Sequence, residues 1–166
     1  METVLLKRIT TCDYLSLAHG GALHWLNTIH LAPALLALLP PARTDRLLVL
    51  SLSLSPLLRI ETETDYLEQL ASLLDCYARD KPSRLILHTS VPFALDYRQV
   101  LYATLDLITQ AYRKLLDMGA TRVELVRKID ERLHKLLSAV VKDLDRVART
   151  AAKDELARLL DQDLDT

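Results

Sequence analysis

The chain has 166 residues, is half hydrophobic and 26% charged, and carries a formal net charge of −1. That length suits one globular domain spanning 1–166, and the near-neutral balance offers no long-range attraction to a polyanion, so nucleic acid is disfavoured as a partner. Cys12 and Cys76 stand apart, without zinc-finger spacing, and read as reduced thiols of an intracellular protein, cytoplasmic or nuclear not distinguished.

Residues 3–10, TVLLKRIT, fit a short strand or an irregular lead-in, and nothing after them resembles a signal-peptide cleavage site. From Tyr14 to Ala42 there is no Asp, Glu, Lys or Arg. His19, His24, Asn27, His30, the Gly20-Gly21 pair and Pro33 all fall in that window and argue against a membrane span of about 20 residues. The spacing of Tyr14, Leu15, Leu17, Ala18, Ala22, Trp25, Leu26, Ile29 and Leu31 predicts a helix capped by Asp13, and Ala34–Leu39 predicts a short second helix after Pro33.

Two periods compete over 46–62. Leu48, Leu50, Leu52 and Leu54 alternate with Val49, Ser51, Ser53 and Ser55 as in a strand, while Leu47, Leu50, Leu54 and Leu57 fit a helix face. The fragment RLILHT at 84–89, fenced by Pro82 and Pro92, reads as a buried strand and needs a paired neighbour, which favours strands at 46–54 and 84–89, with 57–62 as a third. Asp65–Arg79, opened by a capping-box pattern at Asp65 and Glu68, is the crossover helix of that βαβ-like unit.

Asp96 and Gln99 form a second capping box, and Tyr97, Leu101, Leu105, Ile108, Tyr112 and Leu115 carry a helix to Met118, where Gly119 stops it. Thr121 and Glu124 open the last helix through a third capping box, so the two helices fold back as an antiparallel hairpin, 97–160, projecting from the domain. The final helix is long. Its apolar stripe of Val126, Ile129, Leu133, Leu136, Val140, Leu144, Val147 and Ala151 advances by threes and fours. Ten basic and ten acidic residues from 121 onward are interspersed, with i,i+4 pairs expected at Glu131–Lys135, Asp145–Arg149 and Asp154–Arg158. Residues 161–166 read as a frayed acidic tail.

Length separates this stripe into two parts. At ~1.5 Å per residue, 97–118 spans about 33 Å and 121–160 about 60 Å, so hairpin pairing reaches only to about residue 143. Leu144, Val147, Ala151, Leu156, Leu159 and Leu160 are thereby candidate partner-binding residues, covered either by the N-terminal helix or by another chain. Trp25, Ile29, Leu35 and Leu38 are candidates for a second contact.

Chemical motifs are sparse. His19-Gly20-Gly21 looks like an oxyanion loop but lacks any G-x-S-x-G nucleophile turn. His19, His24 and His30, at steps of five and six, point to different sides of a helix and form no metal pair there. Cys76 has no basic neighbour in sequence, Glu61 and Glu63 fit helix capping better than acid/base work, and there is neither a P-loop nor a dinucleotide turn. No catalytic, cofactor or metal residue is assigned.

These readings combine into a mostly helical α+β fold, with all-α as the alternative. The function expected is a non-enzymatic interaction subunit that binds a protein partner, homo- or hetero-oligomeric, through the last helix. Two other classes stand beside it: a ligand-binding or enzymatic domain with a site at strand ends near Ser55, Thr89 and Ser90, and a membrane-surface adaptor using 14–42.

Overall fold

The computed structural model describes residues 1–31, 33–36, 39–87, 91–92, 94–119 and 121–164. Along them run α1 (Glu2–His19), the single-turn α2 (Pro33–Leu36), α3 (Pro41–Leu54), a 3-10 turn (Ser55–Arg59), α4 (Glu63–Ala78), α5 (Tyr97–Asp117) and α6 (Val123–Leu164). Among the described residues there is no strand, only an isolated antiparallel bridge between Trp25 and Ile29. The α+β expectation, with its sheet and βαβ crossover, is therefore wrong; the all-α alternative describes the fold.

The segment 46–54 lies in α3, and its serines explain why. Inside a helix a serine hydroxyl can bond the carbonyl one turn back. Ser51 Oγ donates to Leu47 O at 2.9 Å and Ser53 Oγ to Val49 O at 2.7 Å. Both are buried, Leu47, Leu50 and Leu54 take the core face, and Pro41 sits at the first turn where its missing N–H costs nothing. Residues 57–62 are not a strand either. The 3-10 turn holds 57–59, and Lys114 Nζ donates to the carbonyls of Leu58 and Ile60. Arg84 to Leu87 form turns: Ile86 N donates to Ser83 O, and Leu87 N donates to Ser53 Oγ at 2.9 Å. A buried serine supplies the acceptor that a neighbouring strand was expected to supply. His88 and Thr89, the end of that predicted strand, lie outside the described residues.

The N-terminal helix begins earlier than expected. Residues 3–10 form its first half, Asp13 is an exposed mid-helix residue rather than a cap, and the helix ends at His19, before the two glycines. Of the second short helix, expected over 34–39, the structure describes Pro33–Leu36, and residues 37 and 38 lie outside the described residues. At α5 the sequence is obeyed closely: Asp96 Oδ1 accepts from the backbone of Arg98 and Gln99 at 2.8 and 3.2 Å, and Gly119 takes φ +57 beyond the helix end. Thr121 departs from its expected role, since its hydroxyl and amide donate to Glu63 and tie the α5–α6 turn to the start of α4.

Helix α5 is the centre of the bundle. Its buried residues fall on several sides, among them Leu101, Thr104, Leu105, Ile108, Ala111 and Tyr112. Thr104 Oγ1 lies 2.7 Å from Ser51 Oγ of α3, Tyr66 of α4 donates to Ala111 O, and Tyr112 donates to Asp130 of α6 at 3.1 Å. Leu101 and Leu105 share one cavity wall with Leu137 and Val140, so α6 runs antiparallel to α5 as the hairpin reading required. The backbone of α5 nevertheless approaches α1 and α3 most closely, while α6 packs mainly on α4. The two helices are thus parts of one bundle.

Candidate interaction site

The core seam of α6 is made by Val126, Ile129, Leu133, Leu137, Val140, Leu144, Val147 and Ala148. Leu136 packs against it half-buried. Along the first part of the seam α1 runs in the same direction as α6: Leu5 shares a depression with Val126, and Arg8 Nε donates to Asp130 Oδ1 at 2.9 Å. Where α1 ends, the irregular segment after it takes over. Trp25, only 3% exposed, sends its indole N–H to Asp145 Oδ1 at 2.9 Å, and Arg43 Nε donates to Asp143 Oδ2 at 2.7 Å. The short α2 also lies against α6.

These contacts divide the six candidate residues of the last helix. Leu144 is 0% and Val147 4% exposed, both within the chain's own core, and Ala151 is half-buried. Leu156, Leu159 and Leu160 are 58%, 51% and 56% exposed. The stripe also changes face. From Ala151 to Leu156 is five residues, which at ~3.6 residues per turn rotates the side chain by about 140° away from the seam. The positions that continue the seam are Glu155 and Arg158, and these form an exposed i,i+3 ion pair with Arg158 Nη1 3.2 Å from Glu155 Oε2. The buried seam therefore closes at Ala151; Leu156 and Leu160 lie well off it, Leu159 borders it about 80° from Ala151, and the three leucines form one exposed patch on a single turn.

The second set is likewise divided. Trp25 is core, Ile29 and Leu35 are half-buried against it, and Leu38 lies outside the described residues. Of the three expected i,i+4 pairs, Glu131 pairs with Arg127, Asp145 holds Trp25, and Arg158 turns to Glu155. Helix α6 continues through Leu164 into the predicted tail, and Asp165 and Thr166 lie outside the described residues.

No family model matches the chain, and no curated protein or solved structure is similar to it. What the molecule can do must be read from its own geometry.

Polar groups missed by sequence reasoning gather inside the bundle. Asp130 accepts from Arg8 and Tyr112, residues 122 and 18 positions away in sequence, and no local pattern announces that. His19 is fully buried; its Nδ1–H donates to Leu15 O at 2.6 Å, which leaves Nε2 as an unpartnered lone pair, and the Tyr97 ring lies 6.0 Å away. Burial lowers the His19 pKa, keeping the ring neutral, and pushes the Cys12 thiol up to about 11. Cys12 is consequently a poor nucleophile.

The oxyanion-loop resemblance at 19–21 has no site behind it, because His19 faces the core and Gly20 packs near the Tyr102 hydroxyl. Among the described residues there is no strand end to carry a ligand: Ser55 is exposed in the 3-10 turn, and Thr89 and Ser90 lie outside the described residues. A depression of about 440 Å³ separates the starts of α3 and α5, but of its charged residues Asp96 is already engaged as the α5 cap. Among the described residues no helix is long and apolar enough to cross a membrane, and no group of three or more His, Cys, Asp or Glu could hold a metal ion.

Proposed function

We propose that the chain is a non-enzymatic interaction subunit that offers the end of α6 to a groove on a protein partner. One observation carries this reading: α6 extends about 24 Å beyond Ala148, the last buried residue among those whose side chains are described, and there places Leu156, Leu159 and Leu160 on one exposed face. An i, i+3, i+4 set of large aliphatic residues is the pattern by which an amphipathic helix seats in a hydrophobic groove. Leucines already half in contact with their own helix offer too little area for a stable flat pairing with a second copy, which needs on the order of 1,000 Å² or more. A groove that encloses the helix on several sides gains that area.

The test is the double substitution Leu156→Glu with Leu160→Glu in the full chain. Helical content and unfolding midpoint should stay within error of the parent, while a partner recovered stoichiometrically by the parent should be lost. Retention of the partner by the double variant, or collapse of the whole fold, would show the patch to have another role. Sedimentation of the parent with vesicles, abolished by the same variant, would shift the reading to a lipid surface.

A further inference from the structure

The sequence His24-Trp-Leu-Asn-Thr-Ile-His30 is folded as a tight reversal, whereas helical spacing had turned its two histidines apart. Trp25 and Ile29 exchange both backbone hydrogen bonds, Trp25 N to Ile29 O at 2.7 Å and Ile29 N to Trp25 O at 3.1 Å. Leu26 and Asn27 between them have φ +52 and +57, and Thr28 N donates to Trp25 O. Two consecutive left-handed residues closed by that bond are the geometry of a type I′ turn. A bulky leucine there is strained by about 1–2 kcal/mol, and the Thr28 hydroxyl bond to Leu26 O and the Tyr14 hydroxyl contact with Leu26 N hold it in place.

This reversal brings His24 and His30, the residues that flank the bridge, next to one another. The bridge is isolated, but 24 and 30 directly flank its two ends, and the turn brings the two residues to the same side of the reversal. Alternation sends them to the face opposite Trp25. Trp25 is pinned inward by Asp145 and lies against the Tyr14 ring, so both histidines are turned to solvent. Their ring centres are 5.7 Å apart with planes at 55°. Gly21, at φ +73, brings its backbone so near the His30 ring that a Cβ there would come within 2.9 Å of Cε1. One wall of the His30 position is thus built from a residue that has no side chain.

We propose that His24 and His30 form a two-histidine site for a divalent transition-metal ion of the zinc and copper(II) class. A ring nitrogen about 2.0–2.1 Å from the ion puts each imidazole centre about 3 Å from it, so two rings on one ion stand about 5 to 6 Å apart. The observed spacing falls in that span. Each neutral imidazole donates one lone pair and displaces one water from the hydrated ion, and water keeps the remaining positions, because among the described residues no third protein ligand converges there. With two protein ligands, affinity should follow the general divalent order, with copper(II) above zinc.

The experiment is a titration of the full chain with zinc, and separately with copper(II), followed by calorimetry and, for copper, by the nitrogen hyperfine pattern in electron paramagnetic resonance. One ion per chain with two nitrogen ligands is expected, or one ion per two chains if copies share it, with affinity reduced at least tenfold by His24→Ala or by His30→Ala. His134→Ala, an exposed histidine elsewhere on α6, should change nothing. Gly21→Ala should weaken binding while both histidines remain, a result that surface binding to separate imidazoles would not show. Binding within twofold of the parent in the His24→Ala, His30→Ala double variant, or no saturable binding at millimolar ion, would overturn the assignment.

Discussion

Asp130 is the most consequential single side chain in the bundle. Its carboxylate receives Arg8 Nε at 2.9 Å, Arg8 Nη2 at 3.3 Å and the Tyr112 hydroxyl at 3.1 Å, and so links α1, α5 and α6 where they cross. Replacing it by alanine strands two donors of different kinds. Tyr112 is fully buried and has no route to water, so its orphaned hydroxyl should cost about 1–2 kcal/mol. Breaking a buried ion pair costs about 3–5 kcal/mol, but the Arg8 side chain is 23% exposed and can rehydrate, which discounts that figure to about 1–2 kcal/mol. Together the loss for Asp130→Ala is about 3 kcal/mol, or a fall of about 6–12 °C in the unfolding midpoint for a chain of this size. Tyr112→Phe should cost about 1 kcal/mol, and the two together less than their sum, since the hydroxyl lost in one is already orphaned in the other. Urea and thermal unfolding followed by circular dichroism measure all three. If Asp130→Ala unfolds within about 0.5 kcal/mol of the parent, or the two substitutions are strictly additive, the account of Asp130 as a shared acceptor fails.

Other measurements follow from the interior. The His19 pKa is lowered by burial, so the unfolded chain takes up a proton there first: stability is intact above the unfolded value of about 6.5, declines as pH falls through it, and levels off below the lowered folded value. His19→Gln should flatten that part of the profile, and an unchanged slope between pH 8 and 5 would refute the assignment. Ser53→Ala removes the acceptor of Leu87 N; it should cost about 1–2 kcal/mol and speed amide exchange at Leu87 before the α3 amides respond. In the native chain an alkylating reagent should leave Cys12 untouched and modify the less buried Cys76, while denaturant should make both react; equal native rates would contradict the burial of Cys12.

Much of the helical architecture is legible locally. The Asp96 cap, the Gly119 stop and the buried faces of α4 and α5 are each determined within a turn or two of chain, where periodicity and capping chemistry operate. Residues 46–54 fail for a physical reason of the same kind. Alternating Leu and Ser satisfies both periods, and the decision rests on where the serine hydroxyls find acceptors, which are their own helix carbonyls and, for Ser53, the amide of Leu87. Reading 84–89 as a strand then propagated the error, because a strand demands a partner and 46–54 was the nearest.

The candidate site is legible in a different sense. Its length argument assumes one continuous stripe, and the step from Ala151 to Leu156 already breaks the helical phase in the sequence itself. Counting leucines conceals this; projecting them at ~100° per residue reveals it. What no projection supplies is the cover over Leu144 and Val147, since Trp25 meets Asp145 and Arg43 meets Asp143 across more than half the chain. The uncharged stretch from Tyr14 to Ala42 acquires a meaning from those contacts. Leu15, Ala18, His19, Trp25, Leu31, Leu36 and Leu39 pack it onto the bundle, and its exposed polar residues include the two histidines that the type I′ turn brings face to face. The claim on a protein partner consequently contracts from six residues to Leu156, Leu159 and Leu160. The rotation of Leu156 and Leu160 by about 140° and 180° from Ala151 supports it, because a helix packed along that seam does not reach them.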